Sequence, residues 1–455
     1  MKQRVFSLAA ALAIAVACLA PVTVRADYDH FDDVPARAWY ADAVNWAVLS
    51  AITSGTSAST FSPTAICTRA QTVTFLWRMN GCPQPGKTAT PFADVPAGSY
   101  YEQAVAWAVE QGIVKGVSAT AFAPERNCTC GQILIMIWRS EGRPEPEMPG
   151  EVTEGWSEGD EKDAVAWAES KGMLAYGDVP AEAFDPSVPC SRGMAVKYLY
   201  DASFRFVTTV EQLVDALAPC RNICLAPGAY DVTEWVMNAV AEEALEANPY
   251  VRVDLAGDGF EMQIVGLNHV SFFSPTHDPA DTCLTAEPRY ANVLSFIGCN
   301  DIKLRDLTMG HTPDKGQCTG AVVNMEDCGN MFLQNLDLYG CGTYGVTAED
   351  TAYLYASDVL IRDCSYGGMS LYRVPSAVFT DCTVRNCREY DILDLNDSQV
   401  RFSRCTFQNN TWGRFCDFIG GAGSTVEFFH CTFDEASFRA VSFFEKDGMT
   451  VNMEN

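Results

Sequence analysis

The sequence predicts a multidomain protein, with an all-α bundle of three repeats followed by an all-β domain built as a parallel solenoid. The first observation is the segment Ala-Val-x-Trp-Ala, which occurs three times in the first half and places its tryptophan at Trp46, Trp107 and Trp167. The second is a set of apolar positions in the second half whose spacing recurs roughly every 20–30 residues, as stacked coils require. The third is a shift in composition after Tyr200 toward Val, Phe, Thr, Cys and Asn.

Residues 1–26 have the layout of a secretory signal peptide. Lys2 and Arg4 precede an apolar run that ends at Ala20, and Val24-Arg25-Ala26 offers a small-x-small cleavage site. The run is short for a membrane span, which needs about 20 residues. We therefore expect cleavage and a secreted mature protein without a membrane span.

The charge of the chain excludes several classes of partner. A formal net charge of −27 repels nucleic acid and anionic lipid, so we expect neither as a partner. An anionic glycan would be repelled too, unless it met local arginines. The 19 cysteines include Cys18 of the signal segment, and export would permit the others to form disulfides.

Each repeat is predicted to fold as helix, Gly-rich loop and helix. Thr68, Thr129 and Ser191 stand where the N-cap of a second helix is expected. Two helices cannot bury their apolar face alone, but three pairs packed together can. We place the repeats at residues 27–86, 87–147 and 148–203.

Further motifs recur in the same order in these repeats. Phe31-Asp32-Asp33-Val34-Pro35 matches Phe92-Ala93-Asp94-Val95-Pro96, whereas the third repeat has only Trp156-Ser157-Glu158-Gly159 nearby. A Phe-x-Pro segment follows at Phe61, Phe122 and Phe184, and then a segment of the type Thr-Arg-Ala-Gln, which begins at Thr68 in the first repeat. These residues resemble the S-layer-homology family.

The resemblance implies non-covalent attachment to a secondary cell-wall polysaccharide, and hence a location at a bacterial cell wall or cell surface. In the family, the arginine of the last motif lies at a helix start and meets acidic groups of the glycan, which suits a guanidinium beside a helix N-terminus. The matching residues are Arg69 and Arg192, with Thr68, Gln71 and Ser191 beside them as candidate glycan-binding residues. The second repeat has Cys130 in place of the arginine, so we expect at most two strong grooves. The alternative is that both arginines form salt bridges that hold the bundle. The tryptophans, at helical spacing, are expected in the core.

The second half repeats a four-position apolar set. In its last copies a cysteine occupies the third position, at Cys364, Cys382, Cys405 and Cys431, where earlier copies have leucine. A slot that accepts leucine points into the core, so we expect a ladder of buried thiols, with disulfides between coils as the alternative. Cys299 and Cys328 share another slot, and Cys220 with Cys224 offers a local bridge. Turns are expected to stack at Gly368, Asn386 and Asn409.

Residues 204–455 resemble the right-handed parallel β-helix proteins of the pectin-lyase-like class. The opening, with a helix at Val210–Leu217 and a strand at Ile223–Tyr230, is similar to the cap of that class. This resemblance implies a fold and does not name an activity.

Enzymes of this fold act on polysaccharides through clustered carboxylates or a basic residue. Asp394 and Asp417, with Arg388 nearby, are weak candidates for a catalytic cluster if the two aspartates stack outward in successive coils. The alternative, which we favour, is an exposed acidic face. We expect no cofactor, although a lyase would use Ca²⁺. His311 and Cys318 flank a loop whose spacing fits no standard zinc site, so we expect no metal there and interpret His311 as a loop-capping residue.

The sequence thus favours a non-catalytic surface protein, anchored by its first half and displaying a β-helix that binds carbohydrate or another surface partner. The alternative is a wall-tethered polysaccharide lyase or glycoside hydrolase acting through the β-helix.

Overall fold

The computed structural model describes residues 31–87, 90–146, 151–154, 156–241, 248–312, 320–340, 343–442 and 448–454. The predicted signal peptide and Cys318 lie outside these residues. The chain divides into two compact units, Met1–Phe204 and Arg205–Asn455. In the described ranges, no helix has both the length and the apolar character needed to cross a bilayer.

The first unit is a bundle of three helix pairs, one from each repeat. Its helices are α1 (Ala41–Leu49), α2 (Arg69–Met79), α3 (Glu102–Glu110), α4 (Cys130–Ser140), α5 (Asp160–Ser170) and α6 (Arg192–Ser203), with a 3₁₀ turn at Ala181–Ala183. The three predicted N-caps are confirmed, because the hydroxyls of Thr68, Thr129 and Ser191 each accept a hydrogen bond from the amide three residues later. At Thr68 and Thr129 the following glutamine completes a capping box.

The repeats close into a ring. The second helix of each repeat packs on the first helix of the next, in the pairs α2–α3, α4–α5 and α6–α1. At the centre the backbone amide of Cys128 donates to the carbonyl of Cys67, that of Cys67 to Cys190, and that of Cys190 to Cys128, each at 2.9 Å. These three cysteines are fully buried, so the ring has a solvent-free pseudo-threefold axis.

The repeated tryptophans belong to the core. Trp107 and Trp167 are buried, and Trp46 is half-buried against Tyr200, with ring centroids 5.5 Å apart. The expectation that these rings pack between helices is confirmed. The rings of Trp107 and Trp167 are therefore inaccessible to a ligand.

The second unit is a parallel β-helix with short capping helices. The helices are α7 (Val210–Asp215), α8 (Val232–Ala241) and α9 (Glu435–Ser442), with a 3₁₀ turn at Pro279–Asp281. The strands are β1 (Phe204–Val207), β2 (Asn222–Leu225), β3 (Gly228–Asp231), β4 (Val251–Ala256), β5 (Gly259–Val265), β6 (Asn268–Phe273), β7 (Thr282–Ala286), β8 (Leu294–Ile297), β9 (Asn300–His311), β10 (Val323–Glu326), β11 (Asn330–Tyr339), β12 (Tyr344–Glu349), β13 (Tyr353–Ser357), β14 (Leu360–Arg362), β15 (Gly367–Tyr372), β16 (Ala377–Thr380), β17 (Thr383–Arg385), β18 (Arg388–Glu389), β19 (Leu393–Asn396), β20 (Gln399–Ser403), β21 (Thr406–Gln408), β22 (Thr411–Trp412), β23 (Ile419–Ala422), β24 (Thr425–Phe429), β25 (Thr432–Phe433) and β26 (Thr450–Glu454).

Two long sheets carry the coils. One runs in the order β1-β2-β6-β9-β11-β13-β16-β20-β24-β26, with β14, β17, β21 and β25 pairing as an extension of it. The other runs β23-β19-β15-β12-β10-β8-β5-β4. Pairing is parallel in both, except where β4 meets β5 at one end. Parallel strands stacked coil upon coil bury their alternate residues along one continuous core.

The register corrects the predicted cysteine slot. Leu336 pairs with Leu307 on one side, and the next coil places Val359, not Cys364, beside it. Val359 is followed in the ladder by Cys382, Cys405 and Cys431. Cys364 instead lies one slot further on, where its carbonyl accepts from the amide that follows Cys387. The predicted alignment of successive coils was wrong at Cys364, because two neighbouring positions of the coil both accept a buried cysteine.

Stacked turns between the strands are confirmed, with one correction. Asp363, Asn386 and Asn409 lie in successive coils with φ near +60°, a conformation that Asn and Asp tolerate better than other residues with side chains. Gly368, expected at such a turn, is buried inside strand β15. Asp363 takes the turn position in that coil.

Aromatic side chains stack inside the later coils. The rings of Phe379, Phe402 and Phe428 lie in register in three neighbouring coils, each pair of centroids 5.1 Å apart. All three are essentially inaccessible to solvent. This stack fills the solenoid where the sequence changes from leucine to phenylalanine.

Candidate functional site

The aspartate of the F-x-D-V-P motif builds one wall of two of the three repeat interfaces. In the first repeat the carboxylate of Asp33 accepts from the amides of Phe61 and Ser62, at 2.8 and 2.7 Å. Asp94 holds Phe122 and Ala123 in the same way in the second repeat. The Phe122 amide also holds the pKa of Asp94 below its usual range. The motif therefore fixes the Phe-x-Pro turn that the arginine of the preceding repeat in the ring contacts.

Arg192 joins the third repeat to the first. Its Nε donates to the carbonyl of Phe61 and its Nη2 to that of Ser54, both at 3.0 Å. The guanidinium lies over the ring of Phe61, with 4.7 Å from Cζ to the centroid. Arg192 is only 5% exposed, and burial lowers the pKa of its guanidinium. Its partners are backbone carbonyls and a ring, so the expected alternative of a salt bridge is replaced by charged hydrogen bonds that hold the bundle.

Arg69 joins the first repeat to the second with the same geometry. Its Nε donates to the carbonyl of Phe122 at 3.0 Å and its Nη2 to that of Lys115 at 2.9 Å, and Cζ lies 4.6 Å from the centroid of the Phe122 ring. Unlike Arg192, Arg69 is half-exposed. Among the described residues, its Nη1 makes no hydrogen bond, so one donor edge faces the groove.

Two exposed basic residues that the sequence did not single out, Arg126 and Lys115, contact Arg69 through their backbone carbonyls. The backbone of Arg126 accepts from the amide of Arg69 at 2.9 Å, and the positive charge of Arg126 lowers the pKa of Arg69 in addition to burial. Lys115 contributes the carbonyl described above. The corresponding residues around Arg192 are Ala65 and Ser54. The two arginine interfaces therefore differ in charge, because a second cation, Arg126, acts on the arginine of the first alone.

The interface between the second and third repeats has neither the arginine nor the hydrogen bonds of a motif aspartate. Cys130 stands at the start of α4 where the other repeats have arginine, and its amide donates to Val188 at 2.9 Å. The segment Tyr176-Gly177-Asp178-Val179-Pro180 precedes Phe184, but the Phe184 amide donates to the carbonyl of Ala181 at 3.0 Å and not to a motif aspartate. The expectation of at most two grooves agrees with this placement.

The remaining predicted glycan-binding residues take part in capping. The side chains of Thr68 and Gln71 exchange hydrogen bonds with each other's backbone amides, and the Ser191 hydroxyl caps α6. They position Arg69 and Arg192 at the helix starts. Direct contact of these three side chains with a glycan stays a prediction.

The predicted catalytic pair on the β-helix does not form. The register places Gly420, not Asp417, beside Asp394 in the next coil. The carboxylate of Asp394 accepts from Ser370 and Asn396, each at 2.9 Å. The amide of Asp417 donates to Asp391 at 2.6 Å. The loop before β23 is longer than the sequence alignment allowed, and this shifts Asp417 out of the sheet.

The other catalytic and metal-site expectations also have clear positions. Arg388 lies in the two-stranded sheet of β18 and β22, opposite Thr411. His311 ends strand β9 and is 2% exposed. Its Nε2 lies 2.8 Å from the carbonyl of Ala291, in the loop between β7 and β8, which agrees with the interpretation of a loop-capping residue. In the part of the chain that the structure describes, no three His, Cys, Asp or Glu residues are grouped so as to hold a metal ion.

The outer face of the longer sheet carries a cationic and aromatic patch. Lys303, Phe332 and Tyr355 are paired in one outward row of successive strands, and Arg305 lies in the next row. They line a shallow cavity of about 200 Å³ together with Ser271 and Gln334. The Lys303 ammonium lies 5.8 Å from the centroid of Phe332. We call Lys303, Arg305, Phe332 and Tyr355 the outer patch.

Comparison with known proteins agrees with both halves of this description. Residues 30–73 and 91–132 match the S-layer homology domain, and residues 297–454 match the right handed beta helix region. The third helix pair, although folded like the first two, falls outside the match.

Two relatives share parts of the chain. The surface-layer 125 kDa protein of Lysinibacillus sphaericus is 26% identical over 265 residues, which cover 55% of this chain and 21% of that protein. An endoglucanase of Bacillus sp. (strain KSM-635) is 36% identical over 110 residues, covering 24% of this chain and 11% of that enzyme. The chain thus spans about a fifth or less of the length of these curated relatives. It joins an S-layer homology domain to a C-terminal right-handed β-helix.

Proposed function

We propose that this protein is held at the bacterial cell surface by its first unit, which binds an acidic secondary cell-wall polysaccharide, and that it displays the β-helix outward from the wall. The observation that carries the proposal is the groove of Arg69. It places a half-exposed guanidinium beside the positive charge of Arg126, on a chain whose net charge is −27. On such a background a local cluster of positive charge selects an anionic ligand.

The chemistry of the groove favours a carboxylate or phosphate of the glycan. Arg69 begins helix α2, near the positive end of the helix dipole. The amides of Arg69 and Ala70 already donate to the carbonyls of Arg126 and Pro124, so the guanidinium is the group left for a ligand. Two of its donors are already held by carbonyls, which fixes the plane of the guanidinium before a ligand arrives. A pre-oriented cation loses little side-chain entropy on binding. Arg192 has the same orientation but is buried, so its part in the proposal is to hold the ring and add a second, weaker groove.

The relatives agree with a surface location. One is named as a surface-layer protein, and its similarity extends over more than half of this chain. S-layer homology repeats are attachment domains in the family that these repeats resemble. Secretion through the segment at 1–26 is part of the same proposal.

Binding to purified Gram-positive cell wall tests the anchor. Full-length protein is co-sedimented with wall, and the double variant Lys115→Ala/Arg126→Ala is compared with wild type. Both side chains are exposed, so the variant should fold normally, and loss of two cations should weaken binding about tenfold or more. Arg37→Ala is the matched control, since Arg37 is an exposed arginine of the first repeat away from the groove. Equal retention of the double variant and wild type would refute the assignment of this groove.

For the β-helix, we propose that the outer patch binds an acidic carbohydrate. Aromatic rings beside cations are suited to the apolar face and the carboxylates of such a sugar, and the patch is concave. Lys303→Ala/Arg305→Ala should lose binding to immobilised acidic glycans. Arg401→Ala is a matched control, because Arg401 lies in the same outward row several coils away. Binding that survives in the double variant would remove the patch from the proposal.

The enzymatic alternative stays a prediction without a located centre. Part of the chain is similar to an endoglucanase, but the alignment covers only 11% of that enzyme. The register separates the two aspartates proposed to act together. An assay for release of reducing ends from polysaccharides would test it, and activity abolished by Asp394→Asn would restore that centre.

A further inference from the structure

Strand β4 forms an open edge of one of the two long sheets. Among the described strands that sheet ends at β4, which pairs with β5 in an antiparallel hairpin. The amide of Val265 donates to the carbonyl of Tyr250 at 2.9 Å, just before β4 begins. Since hydrogen-bonded pairs alternate along an antiparallel ladder, Arg252 and Asp254 turn their backbone groups toward β5. Those of Val253 therefore point away from the sheet and can pair with another strand.

The two faces of β4 have different characters. The side chains of Val251 and Val253 pack against the core of the β-helix. Leu255 follows in the same row and is 71% exposed. Arg252 and Asp254 lie on the opposite face, and both are exposed. The strand thus has an apolar row whose last member is uncovered and an outer row with one charge of each sign.

The two charges of the outer row are not neutralised within the sheet. Arg252 lies opposite Gln263 of β5 and donates from Nε to its side-chain oxygen at 2.7 Å. Asp254 lies opposite Glu261, an arrangement of like charges that is unfavourable across two strands. Within the described ranges, neither Arg252 nor Asp254 forms an ion pair. An added strand with an arginine beside Asp254 would offset this repulsion.

We propose that β4 pairs antiparallel with β4 of a second copy of this chain, about a two-fold axis at Val253. The Val253 amide donates to the carbonyl of the partner's Val253, and the Leu255 amide donates to that of the partner's Val251. Arg252 then lies opposite the partner's Asp254, and the symmetry repeats this ion pair on the other side of the axis. The two copies are joined by backbone hydrogen bonds and two pairs of opposite charges.

The charges select this register from its neighbours. An axis at Arg252 uses the same open edge but sets the two copies of that arginine opposite each other. An axis at Asp254 does the same with the two aspartates. Like charges directly opposite destabilise a strand pair, whereas opposite charges stabilise it. The axis at Val253 also brings the exposed Leu255 beside the partner's Val251, which extends the apolar row across the interface.

The edge lacks the features that keep edge strands single. Such strands usually carry lysine, proline or a bulge. The sequence of β4 contains neither lysine nor proline, and its residues pair with β5 in an uninterrupted register. One short strand from each copy buries less surface than a stable dimer needs. We therefore expect a weak dimer, with a Kd on the order of 10–100 μM.

Sedimentation equilibrium of the full chain, at concentrations up to about 200 μM, tests the pairing. Wild type should show a monomer–dimer equilibrium. Arg252→Asp and Asp254→Arg should each raise the Kd about tenfold or more, because like charges then meet twice across the axis. Arg37→Asp, an equal change of charge at an exposed site of the first unit, is the matched control and should leave the Kd unchanged. A wild type that stays monomeric, or single variants that dimerise as tightly as wild type, would overturn the proposal.

Mixing the two single variants separates a lost contact from a damaged fold. An equal mixture of Arg252→Asp and Asp254→Arg should form a heterodimer, because one strand then carries two negative charges and the other two positive charges at facing positions. The double variant Arg252→Asp/Asp254→Arg should dimerise by itself with a Kd within a few-fold of wild type, since the exchange restores both ion pairs. A mixture and a double variant that both stay monomeric would overturn the pairing.

Discussion

Replacing Arg192 with alanine tests how the ring of repeats is held together. The side chain is almost completely buried and joins the third repeat to the first. It donates to the carbonyls of Phe61 and Ser54, each at 3.0 Å, and to the Thr53 hydroxyl at 3.4 Å, and it lies over the rings of Phe61 and Phe75 at 4.7 and 5.6 Å. Arg192→Ala leaves both carbonyls without this donor and removes the cation from the ring. The backbone hydrogen bonds from the amides of Arg192 and Gly193 to the carbonyls of Ala65 and Pro63 remain.

The expected loss follows from those contacts. Each hydrogen bond to a charged donor contributes about 1.5–3 kcal/mol, and a desolvated cation–π contact about 2 kcal/mol. Part of this is offset because the mutant no longer desolvates a guanidinium. We therefore expect the free energy of unfolding of the first unit to fall by about 3–4 kcal/mol. With a urea m-value of about 2 kcal/mol/M, the midpoint should fall by roughly 1.5–2 M.

Urea unfolding of the full chain followed by tryptophan fluorescence measures this change, because most of the tryptophans lie in the first unit. Arg69 makes the same kind of contacts at a half-exposed site. Arg69→Ala should therefore lower the free energy of unfolding by less, about 1–2 kcal/mol. The exposed control Arg37→Ala should stay within about 0.5 kcal/mol of wild type. An Arg192→Ala midpoint that matches wild type, or one above that of Arg69→Ala, would refute the role given to Arg192.

Three further outcomes are expected. Phe402→Ala, in the middle of the phenylalanine stack, should destabilise the β-helix by about 3–5 kcal/mol in denaturant titration, whereas the exposed Phe415→Ala should change little. The pKa of Asp94 is depressed, so its contribution to stability is present above the unfolded pKa of about 3.9 and is lost as the pH falls through the folded value. The difference in free energy of unfolding between wild type and Asp94→Asn should therefore be constant near neutral pH and shrink below about pH 4. A difference that grows below about pH 4 would contradict this prediction. Wall binding through the Arg69 groove should weaken as salt is raised, and binding indifferent to salt would argue against a charged contact.

The repeats could be predicted from sequence because their motifs are local and occur in the same order. The N-caps at Thr68, Thr129 and Ser191 were predicted because a Ser or Thr hydroxyl just before an apolar helix accepts a hydrogen bond from an amide of the first turn. The motif aspartate also has a local use, since Asp33 and Asp94 each hold a turn within their own repeat.

The groove itself could not be predicted, because it forms only when the ring closes. Arg126 and Lys115 come beside Arg69 from the neighbouring repeat, and neither belongs to a motif. Their exposure and their positive charge on an acidic chain were the available signals. The burial of Arg192, against the exposure of Arg69, likewise depends on Ala65 and Ser54 in the first repeat.

The sequence predicted the fold class of the solenoid correctly, but it assigned some residues to the wrong position within a coil. Periodic apolar pairs indicate strands, but the number of residues in a coil varies because the loops differ in length. Coils aligned by sequence alone can therefore be shifted by a few residues. Two adjacent slots both accept cysteine, and this moved Cys364 into the ladder that Val359 occupies. The same uncertainty in loop length made Asp417 look like the neighbour of Asp394, whereas Gly420 takes that place.

Co-sedimentation of the full-length protein with Gram-positive wall, before and after chemical removal of the secondary polysaccharide, tests the central claim most directly. The account predicts that the protein pellets with intact wall, stays soluble with stripped wall, and is released from intact wall by the isolated polysaccharide. Equal pelleting with stripped wall would contradict it, because the cationic groove of the first unit would then not be what attaches the protein.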